Sequence, residues 1–375
     1  MRLLAWLALL LAAGCTDDRA PRPAGATAPT APFLAGTAPA GYALALAPAA
    51  LQFPRDHGAH PDFRSEWWYF TGNLADAAGR RFGFQFTVFR FALAPSAARR
   101  ASAFATRQAW MAHLAITDVA ARRFHAFERF ARGAAGLAGA QPHPFAVWLE
   151  DWRAEALPAA HAGAEPFPLR LRARDGEVAL DLVLQPGRAR VLHGEQGLSR
   201  KSAEAGNASY YYSYTRIPAS GEVRTPAGRF QVVGEAWMDR EWSTSALAAD
   251  QRGWDWFSLQ LDDGRDLMFY RLRDAAGGMH AFSAGVLVPA RGPVTHLGAA
   301  DVVLTPLRHW RSPAGGRYPV AWRLRSGQLD LEVHALLDAQ EHRAAFRYWE
   351  GAVAVRGRDG TRAVAGHGYL EMTAY

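Results

Sequence analysis

Apolar and polar residues alternate over many short segments, most of them closed by a glycine-bearing turn, and this constrains the chain more than any other feature. Phe82, Phe84, Phe86 and Val88 alternate with Gly83, Gln85 and Thr87, the period of a strand with one buried face. The Asp76-Ala77-Ala78-Gly79 turn joins that segment to the run before it. Residues 169–171 and 178–184 flank Asp175-Gly176, 256–261 and 267–272 flank Asp263-Gly264, and 352–356 and the tail flank Asp359-Gly360. An Asp-Gly corner between apolar runs is a hairpin signal. Shorter segments of the same kind lie at 113–117, 145–152, 209–215, 230–237 and 330–336. Strands of this length and spacing predict an all-β chain built as a barrel or sandwich. Their number exceeds what one eight-stranded barrel uses, so two barrels, or a fused pair, are expected. Only 120–138 reads as partly helical.

One run stands out within this pattern: Glu66-Trp67-Trp68-Tyr69-Phe70-Thr71-Gly72-Asn73. Aromatics suit the pleated surface of a strand. A carboxylate beside so much ring surface must be paired, hydrogen-bonded or shifted in pKa. Asp239-Arg240-Glu241-Trp242 repeats the pairing of acid and Trp. Together they suggest a wall where polar chemistry meets an apolar cavity. By alternation, Trp67 and Tyr69 point one way and Trp68 and Phe70 the other, so only one pair can line any one cavity.

The formal charge of +7 is carried almost wholly by Arg; Lys201 is the only lysine. Acids and bases interleave, with no basic stripe of the kind nucleic acid needs, so no nucleic-acid partner is expected. At the N-terminus, Arg2 precedes an apolar stretch, residues 3–13, that is too short to span a bilayer. Leu11-Ala12-Ala13-Gly14-Cys15 follows, and Cys15 is the sole cysteine. Small residues before a cleavage point mark a signal peptide, and the pattern resembles a bacterial lipobox with Cys15 as the lipidated mature terminus. Residues 16–45 are rich in Ala and Pro and read as a tether. Some 30 residues at roughly 3 Å each reach about 90 Å. The expected organisation is a signal peptide at 1–14, lipidated Cys15 and tether at 15–45, a first barrel at 46–242 and a second at 243–375. Thr16 rather than Asp after the cysteine leans toward the outer membrane, with the folded part in the periplasm and held to the membrane by its lipid.

The segments Asp56-His57-Gly58-Ala59-His60-Pro61, Arg64 to Asn73, Phe82-Gly83-Phe84-Gln85-Phe86, His113 to Asp118, Phe127 to Arg132, Trp148 to Trp152, Ala236 to Trp242, Tyr348-Trp349-Glu350-Gly351 and Gly368-Tyr369-Leu370-Glu371 resemble, in combination, the AttH-like family. That family includes the carotenoid 1,2-hydratases and bacterial proteins called lipocalin-like or predicted secreted hydrolases. The resemblance runs from about Leu51 to Tyr375. It implies two lipocalin-like antiparallel β-barrels packed together in one chain. It also implies one of three uses for an aromatic pocket: binding an apolar small molecule or lipid beside an ABC-transporter permease, hydrating a polyene or terpenoid, or guiding its cyclisation as fungal pericyclases do.

Hydrating an unactivated alkene needs a strong acid kept neutral, rings that stabilise a cation, and a positioned water. Asp239, Glu241 and Tyr270 are the candidate catalytic residues. Glu66, Trp67, Trp68, Tyr69, Tyr212 and Trp242 are the candidate ligand-binding residues. Two departures from the carotenoid enzymes count against a hydratase. Arg240 stands where they carry His, and a guanidinium would lower a neighbouring acid's pKa. Leu272 stands where an acid is expected. The bland alternatives stay open: Asp239 and Glu241 could pair with Arg at the junction of the barrels, Trp242 could be core, and Glu66 could accept structural hydrogen bonds. His57 and His60, with Asp56 and Asp62, form a weak metal pattern better read as turn chemistry. There is no Gly-x-Ser-x-Gly, no His-Glu-x-x-His, no phosphate loop and no dinucleotide fingerprint. No cofactor and no metal are expected.

Overall fold

The computed structural model describes residues 40–95, 102, 104–245, 247–345 and 347–375. The expected signal peptide, Cys15 and most of the tether lie outside the described residues.

Among those residues the chain is strand throughout, with three 3-10 turns. The first sheet holds β1 (Ser65–Asp76), β2 (Arg81–Ala92), β3 (Gln108–Asp118), β4 (Arg123–Arg132), β5 (Ala138–Pro142), β6 (Phe145–Leu149), β7 (Trp152–Ala156), β8 (Leu169–Asp175), β9 (Val178–Leu184), β10 (Val191–Leu192), β11 (Leu198–Arg200), β12 (Ala208–Thr225) and β13 (Gly228–Ser243). The second holds β14 (Gln251–Leu261), β15 (Asp266–Asp274), β16 (Ala284–Val288), β17 (Thr295–Gly298), β18 (Val303–Arg311), β19 (Arg317–Ser326), β20 (Leu329–Ala335), β21 (Glu341–Arg343), β22 (Arg347–Asp359) and β23 (Arg362–Thr373). All pairings are antiparallel, in the orders β4-β3-β2-β1-β13-β12-β9-β8-β7-β6-β5 and β17-β16-β15-β14-β23-β22-β20-β19-β18. The expected hairpins at Asp76–Gly79, Asp175-Gly176, Asp263-Gly264 and Asp359-Gly360 form as read.

Each sheet curls on itself. In the first, Arg129 of β4 reaches Glu150 and Asp151 at the far end of the sheet and lies 4.4 Å over the Trp152 ring. The even-numbered residues of β1 (Trp68, Phe70, Leu74) turn inward with Phe82, Phe84, Phe86 and Val88 of β2. The second barrel closes around Phe257, Phe269, Trp322, Trp349 and Leu370. The stretch read as partly helical is instead β4 flanked by turns. Its phenylalanines at 124, 127 and 130 keep a three-residue spacing, yet each residue of β4 pairs with β3, so pairing with a formed edge overrides weak local helix propensity.

The odd-numbered face of β1, β2, β12 and β13 meets the second barrel in a layer both aromatic and polar. Tyr69, Tyr211, Trp237, Trp256, Met268, Tyr270 and Tyr369 pack there as one cluster. Polar bonds cross the same layer: Asn73 Nδ2 to Gly368 O at 2.9 Å, Thr117 to Gln340 at 2.6 Å, and Gln260 to Thr215 O at 2.9 Å. Gly83 permits the close approach, since a Cβ there would lie 2.5 Å from that of Ala352.

Candidate functional site

Strand alternation splits the two acid-Trp motifs between two places. Glu66, Trp68, Arg240, Trp242 and Tyr212 face the interior of the first barrel. Trp67, Tyr69, Tyr211, Asp239 and Glu241 face the second barrel. The register makes this unavoidable: β1 sets Glu66 opposite Trp242, Trp68 opposite Arg240 and Tyr69 opposite Asp239. A site combining Asp239 with Trp242 is therefore ruled out, because the two project from opposite faces of β13.

In the interior, Glu66 is fully buried between two guanidiniums. Arg90 Nε and Arg240 Nη2 each donate to its carboxylate. The His60 backbone N–H adds bonds of 3.0 and 3.1 Å. Arg90 also reaches the carbonyls of His60 and Phe63 at 2.9 and 2.8 Å. Burial alone would raise the Glu66 pKa, but Arg240 and Arg90 override it and hold the carboxyl well below its ordinary range. Arg240 lies 3.9 Å from the Trp68 ring centre, and Trp242 stacks on His60 at 3.9 Å. The Tyr212 hydroxyl is 2.7 Å from His57 Nδ1, and burial pushes His57 down to about 4. These contacts lock residues 55–63 across the barrel. His57 and His60 thus serve as hydrogen-bonding and stacking rings, and no cluster of metal-ligating residues occurs among the described residues.

Between the barrels the chemistry differs. Asp239 is 3% exposed. Its carboxyl accepts from Ser213 Oγ and from Trp237 Nε1 at 2.6 Å, and lies 2.5 Å from the Tyr211 hydroxyl. Among the described residues no cation pairs with it; Lys201 and Arg240 are taken by Glu241 and Glu66. Burial pushes its pKa up to about 7, against the lowering effect of those donors, and the charge of nearby Glu241 adds to the rise. Arg240 is not the Asp239 partner suggested by sequence adjacency, because it is spent on Glu66 across the sheet. Glu241 is the paired acid of the motif: Ser209 Oγ donates to it and Lys201 Nζ lies 3.2 Å away. Lys201 also sits 4.0 Å from the Tyr270 ring centre, and Tyr270 bonds Ser199 at 2.9 Å. Burial would lower Lys201, but Glu241 overrides it and the amine is held above its ordinary value. That leaves an ammonium, not a base. Leu272 is buried in the same aromatic cluster.

Two acids absent from the sequence-based candidates complete the layer. Glu350 of β22 and Glu371 of β23 are register partners. Glu350 accepts from the Tyr69 hydroxyl at 2.6 Å, and Glu371 from Trp254 Nε1 at 2.6 Å. Burial and the neighbouring Glu371 push Glu350 well above its ordinary range. Burial pushes Glu371 up to about 7. Two like charges this close cannot both form, so the pair keeps at least one proton near neutrality. Around these acids stand Tyr69 and Trp256, edge to face at 5.2 Å, with Trp237 6.2 Å from Trp256. Trp256 Nε1 donates to the Tyr211 hydroxyl at 3.1 Å. The arrangement can hold protons on carboxylic acids at neutral pH among rings able to stabilise positive charge.

A family model described as AttH-like matches residues 44–375. The crystal structure of an AttH protein from Nitrosomonas europaea is similar at 34% identity, covering 89% of this chain and 99% of that one, with a TM-score of 0.77. Kievitone hydratase from Nectria haematococca is similar at 13% identity and TM-score 0.66, covering 89% and 96%. CghA, in a structure with Sch210972, is similar at 13% identity and TM-score 0.53, covering 92% and 99%. The last two likenesses are of fold. No curated protein matches the chain.

Proposed function

The chain belongs to the AttH-like family, and on that premise we propose that the layer between its barrels is an acid site of hydro-lyase type, acting on an apolar alkene such as a polyene or terpenoid. One observation carries the reading. Asp239 is a buried carboxylic acid whose pKa burial raises to about 7, bonded to neutral donors and, among the described residues, paired with no cation. In the forward direction its proton passes to an alkene carbon, the π pair forms the new C–H bond, and the adjacent carbon becomes a cation. The faces of Trp256, Trp237 and Tyr69 stabilise that cation. Water adds its oxygen lone pair to it, and the proton lost from that oxygen returns to a carboxylate. The Glu350–Glu371 pair is the second proton store. Kievitone hydratase shares this double-barrel fold, which supports the class of reaction without naming the substrate.

The Arg240 objection loses its force, because that guanidinium neutralises Glu66 on the other face of β13. The Leu272 departure stands, and moves the second acid to Glu350 and Glu371. The second reading is a carrier of an apolar or amphiphilic ligand, supported by the density of rings in the layer. In either reading Cys15 would anchor the protein to the outer membrane with its folded part in the periplasm, and an ABC-transporter permease is the proposed partner.

Infrared difference spectroscopy tests the acid reading without a known substrate. A protonated carboxyl band should disappear with a midpoint near pH 7, and Asp239→Asn should remove its Asp239 share and leave that of Glu371. Incubation of lycopene-like polyenes in isotopically labelled water should show uptake by the wild type and none by Asp239→Asn. A band unaltered by the substitution overturns the assignment of the proton. An apolar molecule retained in native mass spectra, with no turnover by either protein, favours the carrier. Palmitate labelling lost in Cys15→Ala supports the anchor.

A further inference from the structure

The two barrels also meet at the surface, in a groove of about 580 Å³ away from Asp239. One wall is the turn before β4 and the strand itself, with Arg122, Arg123, Phe124 and Phe127; the other carries Trp310 of β18 and Arg343 of β21. The charges in the groove do not balance. Its two acids are already occupied. Glu128 lies 3.0 Å from His113 Nε2 and accepts the Ala345 N–H at 3.1 Å. Glu341 accepts from Ser312, from Tyr318 at 2.9 Å and from Arg343 at 3.0 Å. Arg122 and Arg123 are exposed, and neither guanidinium has a hydrogen-bond or ion-pair partner among the described residues. Arg122 is held at a φ of 53°, so the turn fixes where its side chain starts.

The floor is apolar but has an unsatisfied polar back. Phe124 stands edge-on to the His342 ring at 5.5 Å. His342 is fully buried and stacks on Tyr348 at 4.7 Å. Neither of its ring nitrogens has a hydrogen-bond partner among the described residues.

We propose that this groove binds an amphiphilic carboxylate, a single apolar chain or ring system ending in one carboxyl group. The carboxylate would lie across Arg122 and Arg123, where a planar fork suits bidentate binding. The apolar body would lie over Phe124, Phe127 and Trp310. Rings below and uncompensated guanidiniums at one end select against both a cationic amphiphile and a short anion.

The test uses the folded protein and three probes: laurate, dodecyltrimethylammonium and acetate, measured by isothermal titration calorimetry below the micelle concentration. Laurate should bind saturably and the other two should not. Replacing both arginines, Arg122→Gln with Arg123→Gln, should weaken laurate about tenfold or more, the scale of a lost charge-assisted pair. A thermal melt should be unchanged, since both side chains are exposed. Phe127→Ala should weaken laurate too. Equal binding of the ammonium probe, equal binding of acetate, or laurate affinity untouched by the double substitution each overturns the proposal. Asp239→Asn should bind laurate as the wild type does, so failure of the acid site and failure of the groove can be told apart.

Discussion

Two buried carboxylates lie a few residues apart on one β-ribbon and meet opposite fates. Glu66 and Asp239 are both almost wholly removed from water. Glu66 faces the first barrel's interior, where Arg90 and Arg240 hold it ionised. Asp239 faces the second barrel, where hydroxyl and indole donors leave it near neutrality. Burial pushes both acids up; only the identity of the neighbours decides the outcome. The difference teaches that an ionised clamp and a neutral acid can share one strand pair, insulated from each other by the sheet between them. It also separates roles: the clamp holds the fold, and the neutral acid has a proton to give.

The strongest way to break the comparison is to remove the clamp's charge. Glu66→Gln leaves two buried guanidiniums without their counter-charge. Loss of one partner from a buried ion pair costs about 3–5 kcal/mol. Urea denaturation near pH 7 should show a loss of that size. A loss below about 1 kcal/mol, the scale of an exposed pair, would mean that Glu66 is not the ionised centre of the clamp.

A second test concerns pH. Asp239 has its folded pKa raised above the unfolded value near 4. The folded state therefore binds more protons between about pH 4 and 7, and its contribution to stability is full below pH 4 and declines as pH rises toward 7. Relative to Asp239→Asn, the wild type should lose about 1.4 kcal/mol per pH unit across that window. Glu66 has the opposite sign: its contribution is full above its unfolded pKa and disappears as pH falls below it. The buried histidines, lowered by burial, add slopes common to both proteins, and the difference cancels them. A flat difference between pH 4 and 7 would place Asp239 among ordinary, ionised carboxylates.

Much of the fold is legible in the sequence, because alternation and Asp-Gly turns are local signals: the Val178–Leu184 strand and the turn at Gly360 can be read by inspection. The opposite facing of Trp67 and Trp68 is legible for the same reason. The composition of the site is less so. Asp239 and Trp242 look like one locus because they are close in sequence, yet an odd separation in a strand sends them to different faces. Arg240 looks like Asp239's partner by adjacency and belongs instead to Glu66, 174 residues away. Glu350 and Glu371 sit in motifs that are visible in the sequence, but their meeting depends on the register of β22 and β23, and register is set by long-range packing. Parity is the one local clue: Glu371 shares its face with Tyr369, and Glu350 with Tyr348.

The smallest expected effect is at Tyr69, where the contrast between the two acid sites can be sharpened. Its hydroxyl donates to Glu350 at 2.6 Å, and it stands opposite Asp239 in the β1–β13 register. Tyr69→Phe removes that donor and leaves the ring that packs on Trp256. If Glu350 is a neutral acid, it loses one ordinary hydrogen bond, at a cost of about 1 kcal/mol. If Glu350 were ionised, the same change would strip a buried carboxylate of its donor and cost about 3 kcal/mol, the upper range for bonds to charged groups. Denaturation of wild type and variant at pH 6 distinguishes the two values. The smaller one is expected, since burial and Glu371 both hold the Glu350 proton in place, as nothing holds one on Glu66.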